Sequence, residues 1–150
     1  MEIRRVRFSD SEVESLLLGL SDEYDTRYGE NIEMTRASEA EFEPPGGLFV
    51  VLMDGPITAA GGGFRRFNKS ACEVKRMWTS PLHRRRGLAT RVLQSLEDAA
   101  WEIGYAYLIL ETGPRQPEAE ALYVGRGYSR IEAYGHYPEA HAFHIDLSRR

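Results

Sequence analysis
Apolar residues along the chain follow two different periods. Leu88, Val92, Leu96, Ala99 and Ile103 recur at steps of four, four, three and four, which lines one side of an α-helix. Gly104 stands where such a helix would be capped. A second helical stripe, Val13, Leu16, Leu17 and Leu20, follows Asp10 and Ser11, either of which can cap a helix start. Other apolar runs are short and bounded by turn residues, the mark of strands. They are the opening stretch with Ile3, Val6 and Phe8, LFVVLM from Leu48 to Met53, ITAAGGGFRRF after the turn Asp54-Gly55-Pro56, and ACEVKRMWT from Ala71 to Thr79 after Asn68-Lys69-Ser70. Gly61, Gly62 and Gly63 predict a bulge or a close backbone approach. YAYLILET reads as a fifth, buried strand. Pro117 then opens a short helix that Gly127 closes, and YSRIEAY and AHAFHIDL form two last strands. The polar stretch from Ser21 to Phe42 reads as a second helix with loops, ended by Pro44-Pro45-Gly46-Gly47.

This order of elements predicts a mixed α/β sheet, α+β-like, in a single domain over residues 1–150. That length supports one sizeable core. Lys and Arg number 19 against 23 Asp and Glu, a net charge of −4, which argues against a general nucleic-acid coat. Cys72 is the single cysteine, so no intrachain disulfide or Cys-rich zinc site can form. The first residues, MEIRRVRF, lack the apolar core of a signal peptide, and the expectation is a cytoplasmic protein. The run from Leu48 to Met53 is too short to span a bilayer. Neither a nucleic acid nor a membrane is expected as a partner.

The most informative segment joins the fourth strand to the long helix: Pro81, Leu82, His83, Arg84, Arg85, Arg86, Gly87, Leu88, Ala89, Thr90. A helix start carries about four unpartnered N–H groups and a partial positive charge. Arg84, Arg85 and Arg86 have the wrong sign for that place. The conflict resolves if an anion the size of a pyrophosphate binds there and Gly87 lets it approach the backbone. The plain alternative is a solvated basic turn. The segment lacks the Gly-Lys-Ser/Thr of a phosphate-binding P-loop and the repeated glycines of a dinucleotide fold, so an ATPase and a Rossmann dehydrogenase lose support.

Arg84 to Ala89 resembles the acetyl-CoA motif Gln/Arg-x-x-Gly-x-Gly/Ala of the GNAT N-acetyltransferase superfamily. Thr79-Ser80-Pro81 stands in for the family's Val-x-Pro, and LILET and LYVGRGY resemble two further family segments between Glu73 and Tyr128. The resemblance implies a single-domain GNAT-like fold. Its central, mostly antiparallel sheet would splay between strands four and five, with helices on both faces. It implies acetyl-CoA as cosubstrate, no metal, and a small-molecule or peptide amine as acceptor, with a homodimer possible. The pyrophosphate would lie on the backbone from Arg85 to Thr90, beside Arg84, Arg86, Gly87, Leu88 and Ala89. The pantetheine arm would follow Met77, Trp78 and Thr79, with an N–H near Met77 or Trp78 facing the thioester oxygen. Gln116 is the nearest substitute for an Asn that many members use against that arm.

An attacking amine must lose its proton, since free amines of the lysine type have a pKa of about 10.4. Glu73 is the candidate base. It shares a strand face with Lys75, Met77 and Thr79 if no bulge intervenes, and its position resembles the base of histone-acetylating members. Glu73 to Met77 spans ~13 Å of strand, so a water chain would carry the proton. Alternatively, Lys75 makes Glu73 a sheet-surface ion pair. Tyr123 resembles the family's general acid; its other reading is packing on the sheet. Arg65 and Arg66 point to opposite faces, and His83 either assists the phosphate or faces solvent. Cys72 reads as a buried small residue, and His136, His141 and His144 lack a ligand pattern with carboxylates. Acidic Asp22, Glu23, Asp25 and Glu30 lie in a region that often shapes the acceptor pocket in the family and would suit a cationic amine; the more common explanation of such residues is a solvated acidic helix face. The expected activity is acetyl transfer from acetyl-CoA to a primary amine by direct attack; the alternative is a non-catalytic acyl-CoA sensor.

Overall fold
The computed structural model describes residues 1–28 and 39–149. Its strands are β1 (Glu2–Val6), β2 (Leu48–Asp54), β3 (Ile57–Arg66), β4 (Ala71–Thr79), β5 (Tyr107–Thr112), β6 (Ser129–Ile131) and β7 (His141–Asp146). Its helices are α1 (Ser11–Tyr28), α2 (Leu88–Ile103) and α3 (Pro117–Gly125), with 3-10 turns at Glu39–Phe42, Pro81–His83 and Leu147–Arg149. The strands form one sheet in the order β1-β2-β3-β4-β5-β7-β6. Every pairing is antiparallel except β4 with β5, which run parallel.

β2 is buried on both faces, as its unbroken apolar run requires. Leu48, Val50 and Leu52 enter a core with Val92, Leu93 and Leu96 of α2. Phe49, Val51 and Met53 enter a second core with Val13, Leu16 and Leu20 of α1. Helices therefore cover both faces, as the resemblance implied. The glycine run behaves as its composition predicts. A Cβ on Gly61 would lie 2.6 Å from Leu16 Cδ1, and one on Gly63 would lie 2.4 Å from Phe49 Cδ2.

Several sequence expectations need correction. α1 continues to Tyr28 instead of ending near Leu20; it runs through Gly19, and no Gly or Pro stands between Leu20 and Gly29 to end it. A second helix between residues 29 and 38 would lie outside the described residues. Ile103, assigned to the buried stripe, is exposed at the last turn of α2. YSRIEAY contributes only Ser129–Ile131 to the sheet. Most consequential, β4 does bulge. Gly63 pairs with Lys75 and Gly61 with Trp78, so three steps on β4 oppose two on β3. Arg76 takes the extra place with φ 63°, a left-handed conformation that non-glycine residues adopt at a cost of ~1 kcal/mol or more.

The bulge inverts the alternation. Met77 packs toward the α2 core and Trp78 toward the α1 core, while Glu73 and Lys75 lie on the α1 side. Glu73 therefore does not share a face with Met77 and Thr79.

Candidate active site
β4 and β5 are registered at only three positions, Ala71 with Tyr107, Cys72 with Leu108 and Glu73 with Ile109. Beyond them the strands part, leaving a cleft of about 950 Å³. Residues from both sheet faces line it. Met77, Thr79, Leu110, Leu122 and Tyr123 come from the α2 side, and Lys75, Glu111, Tyr137 and Glu139 stand at the other end. Arg76 is 3% exposed and forms part of the wall.

The arginine segment closes the α2 end. Pro81–His83 forms a 3-10 turn in which Ser80 Oγ accepts from the Leu82 N–H at 3.3 Å. Arg85 has φ 65° and Gly87 φ 73°. Gly87 is the N-cap of α2, and no side chain caps the helix, so its first N–H groups face the cleft end without a side-chain acceptor. No atom lies within 4 Å of where a Gly87 Cβ would be. This is room for a ligand to approach the backbone. Arg84, Arg85, Gly87, Leu88, Ala89 and Thr90 line the cleft, as do Met77, Trp78 and Thr79. Arg86 is exposed and lies outside that lining. Arg84 reaches Thr79 O at 3.4 Å and Glu23 Oε2 at 3.3 Å. His83 is buried, with Nε2 2.9 Å from Asp54 Oδ2, and so braces the turn against the β2–β3 hairpin instead of facing solvent.

Gln116 lines the cleft, but its Oε1 accepts from Thr112 Oγ1 at 2.8 Å and from the Gly113 N–H at 3.0 Å. Only its N–H₂ group remains for a ligand. Tyr123 is 5% exposed, packed with Tyr128 and Phe143 at centroid distances of 5.8 Å. Its hydroxyl has no hydrogen-bond partner among the described residues, and burial pushes the phenol up to about 12. Packing and a place in the cleft are both realised.

Glu73 does not line the cleft. Its Oε1 accepts from Arg65 Nε at 3.0 Å and its Oε2 from the Tyr134 hydroxyl at 2.9 Å. Lys75 Nζ is 3.9 Å away, so Arg65, itself 2.6 Å from Glu41 Oε2, is the nearer partner. Sequence reasoning missed Glu111. This carboxylate lines the cleft, and its Oε2 accepts the Tyr134 and Gly135 N–H groups at 2.9 and 3.2 Å. Its Oε1 takes no hydrogen bond from the described residues. The available signal was the alternation of β5, which puts Glu111 on the face of Ile109 and so beside Glu73. Cys72 is buried, and burial raises its thiol to about 12. His141 Nδ1 sits 2.7 Å from Glu120 Oε2. Among the described residues, no three His, Cys, Asp or Glu side chains converge as metal ligands, and no helix is long and apolar enough to cross a membrane.

Comparison with known proteins gives a consistent picture. The profile "Acetyltransferase (GNAT) family" matches residues 13–128. The uncharacterized N-acetyltransferase YsnE of Bacillus subtilis (strain 168) is 34% identical over 88 residues, which cover 57% of this chain and 58% of that protein. The match thus spans little more than half of that relative. Among solved structures, an acetyltransferase of the GNAT family from Staphylococcus aureus Mu50 superposes with TM-score 0.80 at 14% identity, covering 97% of this chain and 99% of that one. A GNAT family acetyltransferase from Elizabethkingia anophelis with acetyl-CoA bound gives TM-score 0.73 at 13% identity, covering 97% of both chains. At these identities the superpositions establish the shared fold.

Proposed function
Since the chain belongs to the GNAT acetyltransferase family, we propose that it transfers an acetyl group from acetyl-CoA to a primary amine, by direct attack and without a covalent enzyme intermediate. The observation that carries this reading is the cleft itself. It passes through the parted β4 and β5, with an uncapped, arginine-flanked helix start at one end and a carboxylate at the other.

Acetyl-CoA, when bound, supplies the acyl group as a thioester. The α2 start and Arg84 and Arg85 suit its phosphates, because N–H groups and guanidinium groups both favour anions. The β3–β4 register shifts at this stretch and Met77 and Trp78 line the cleft, which suits a backbone donor from Met77 or Trp78 facing the thioester oxygen. A fixed donor there is worth most as negative charge develops. Tyr123, on the α2 side, is the donor for the departing sulfur. The amine would enter from the α1 side. There Glu111 is better suited than Glu73 to take the proton, since it lines the cleft and keeps Oε1 clear of protein donors.

The test is free-thiol release from acetyl-CoA with spermidine, L-lysine, benzylamine and a peptide with a free amino terminus, beside calorimetry with acetyl-CoA alone. Binding with thiol release supports the transferase. Binding without release on any amine would instead assign a sensor, and no binding would remove both readings.

A further inference from the structure
The loop between β6 and β7 is tied to the sheet by two carboxylates on adjacent strands. The Tyr134 hydroxyl donates to Glu73 on β4, at 2.9 Å. The Tyr134 and Gly135 N–H groups donate to one oxygen of Glu111 on β5, at 2.9 and 3.2 Å. Glu73 is itself fixed from the other side by Arg65 at 3.0 Å. Tyr134 is further steadied by Phe67, whose ring centroid lies 5.2 Å from its own in an edge-on arrangement. Gly135 fits tightly, because a Cβ there would lie 2.3 Å from Glu111 Oε1.

These contacts form one chain, Arg65 to Glu73 to Tyr134 to Glu111. Only its last member lines the cleft. We infer that Glu73 and Tyr134 are positioning residues. Glu73 grips the Tyr134 hydroxyl, and the loop so held keeps its two N–H groups on Glu111 Oε2 and leaves Oε1 toward the cleft. Glu73 then governs the transfer without touching the amine, and a side chain at Gly135 would press on Glu111 Oε1 and shift that carboxylate. This rests on the transferase reading and assigns Glu73 a task different from proton removal.

A double-mutant cycle separates the possibilities. Rates are measured for wild type, Glu73→Gln, Glu73→Ala, Tyr134→Phe and the Glu73→Ala, Tyr134→Phe pair, with whichever of spermidine, L-lysine or benzylamine turns over fastest. Tyr134→Phe removes one oxygen and keeps the ring on Phe67, so the fold survives it even if Glu73→Ala, which takes from Arg65 one of its two carboxylate partners, does not. We expect Tyr134→Phe and Glu73→Ala each to lower kcat about tenfold, with the KM for acetyl-CoA within about twofold of wild type. The pair should be no slower than either alone. Glu73→Gln keeps an oxygen for the Tyr134 hydroxyl and should retain at least about half the rate, with an unchanged pH profile. A Glu73→Gln enzyme as slow as Glu73→Ala would make Glu73 itself the proton acceptor and overturn the inference. So would a pair whose losses multiply, or a Tyr134→Phe enzyme equal to wild type. A wild type that releases no thiol with any amine would instead remove the transferase reading beneath it.

Discussion

Replacing Tyr123 by Phe deletes one oxygen and leaves the ring packed on Tyr128 and Phe143. Its effect on rate can be worked out from burial. The Tyr123 phenol is pushed up to about 12 by loss of solvent, well above the range in which an ordinary thiol ionises. Handing the proton completely to a thiolate would be uphill by several kcal/mol, roughly. Tyr123 is therefore better placed to donate a hydrogen bond to the departing sulfur than to complete the transfer. A hydrogen bond to a charged partner contributes ~1.5–3 kcal/mol, which corresponds to about 10- to 150-fold in rate. Tyr123→Phe should lower kcat by that factor in the thiol-release assay, with acetyl-CoA affinity by calorimetry unchanged within about twofold. Because burial keeps the phenol protonated, no alkaline fall of kcat should arise from it between pH of about 9 and 11. A loss under about threefold, or a falling limb near pH 10, roughly, that vanishes in the variant, would refute this reasoning.

Three further outcomes concern stability. Burial keeps Cys72 protonated up to about pH 12, while the ordinary thiol value is 9.0. The unfolded chain thus sheds this proton first, and stability falls as pH rises through the interval, by about 1.4 kcal/mol per pH unit. Buried Tyr128 and Tyr134 are raised as well and act in the same direction. Urea titrations of Cys72→Ala from about pH 9 to 11 should show a slope shallower by that amount, and an unchanged slope would contradict the assignment. The fully buried Glu97 accepts from Arg126 Nη2 at 2.5 Å and from the Tyr128 hydroxyl at 2.8 Å. Glu97→Ala strands both partners and should cost about 3–5 kcal/mol in urea midpoint at constant m; a cost under about 1 kcal/mol would contradict the burial argument. Gly63→Ala would place a Cβ 2.7 Å from Leu48 O, a backbone atom that cannot turn aside. It should lose at least about 2 kcal/mol by calorimetry, whereas Gly125→Ala, with nothing within 4 Å, should not.

What was legible in the sequence was whatever depends on near neighbours. The stripe of α2, the cap at Gly104, the hairpins and the glycine run all rest on residues within a few positions of one another. The tight fit around Gly61 and Gly63 realises that last signal directly. What escaped depends on pairs far apart in the chain. Asp54 meets His83 across 29 positions, Glu97 meets Arg126 across 29, and Glu73 meets Tyr134 across 61. No local pattern marks such partners. Glu97 even interrupts the apolar side of α2, a position that periodicity alone reads as an error. Of the candidate site, the arginine segment, the β4 residues around Met77 and the place of Tyr123 were readable. Glu111 and the loop that holds it were not.

The bulge at Arg76 shows why a single residue can redirect such a reading. Side chains on a strand alternate strictly, so a residue added at one point exchanges the faces of everything beyond it. Neither Gly nor Pro marks position 76, and ACEVKRMWT reads as a regular strand. In a regular β4, Glu73 and Met77 would share one face. With Arg76 at φ 63°, Met77 turns toward the α2 core and Trp78 toward α1, while Glu73 stays on the α1 side with Arg65 and Tyr134. The insertion also shifts the register between Gly61 and Gly63, beside the cleft where β4 and β5 have already parted. The strain of a left-handed arginine thus falls in the wall of the cleft. It also leaves the α1 side of the opening to the carboxylate that comes from β5.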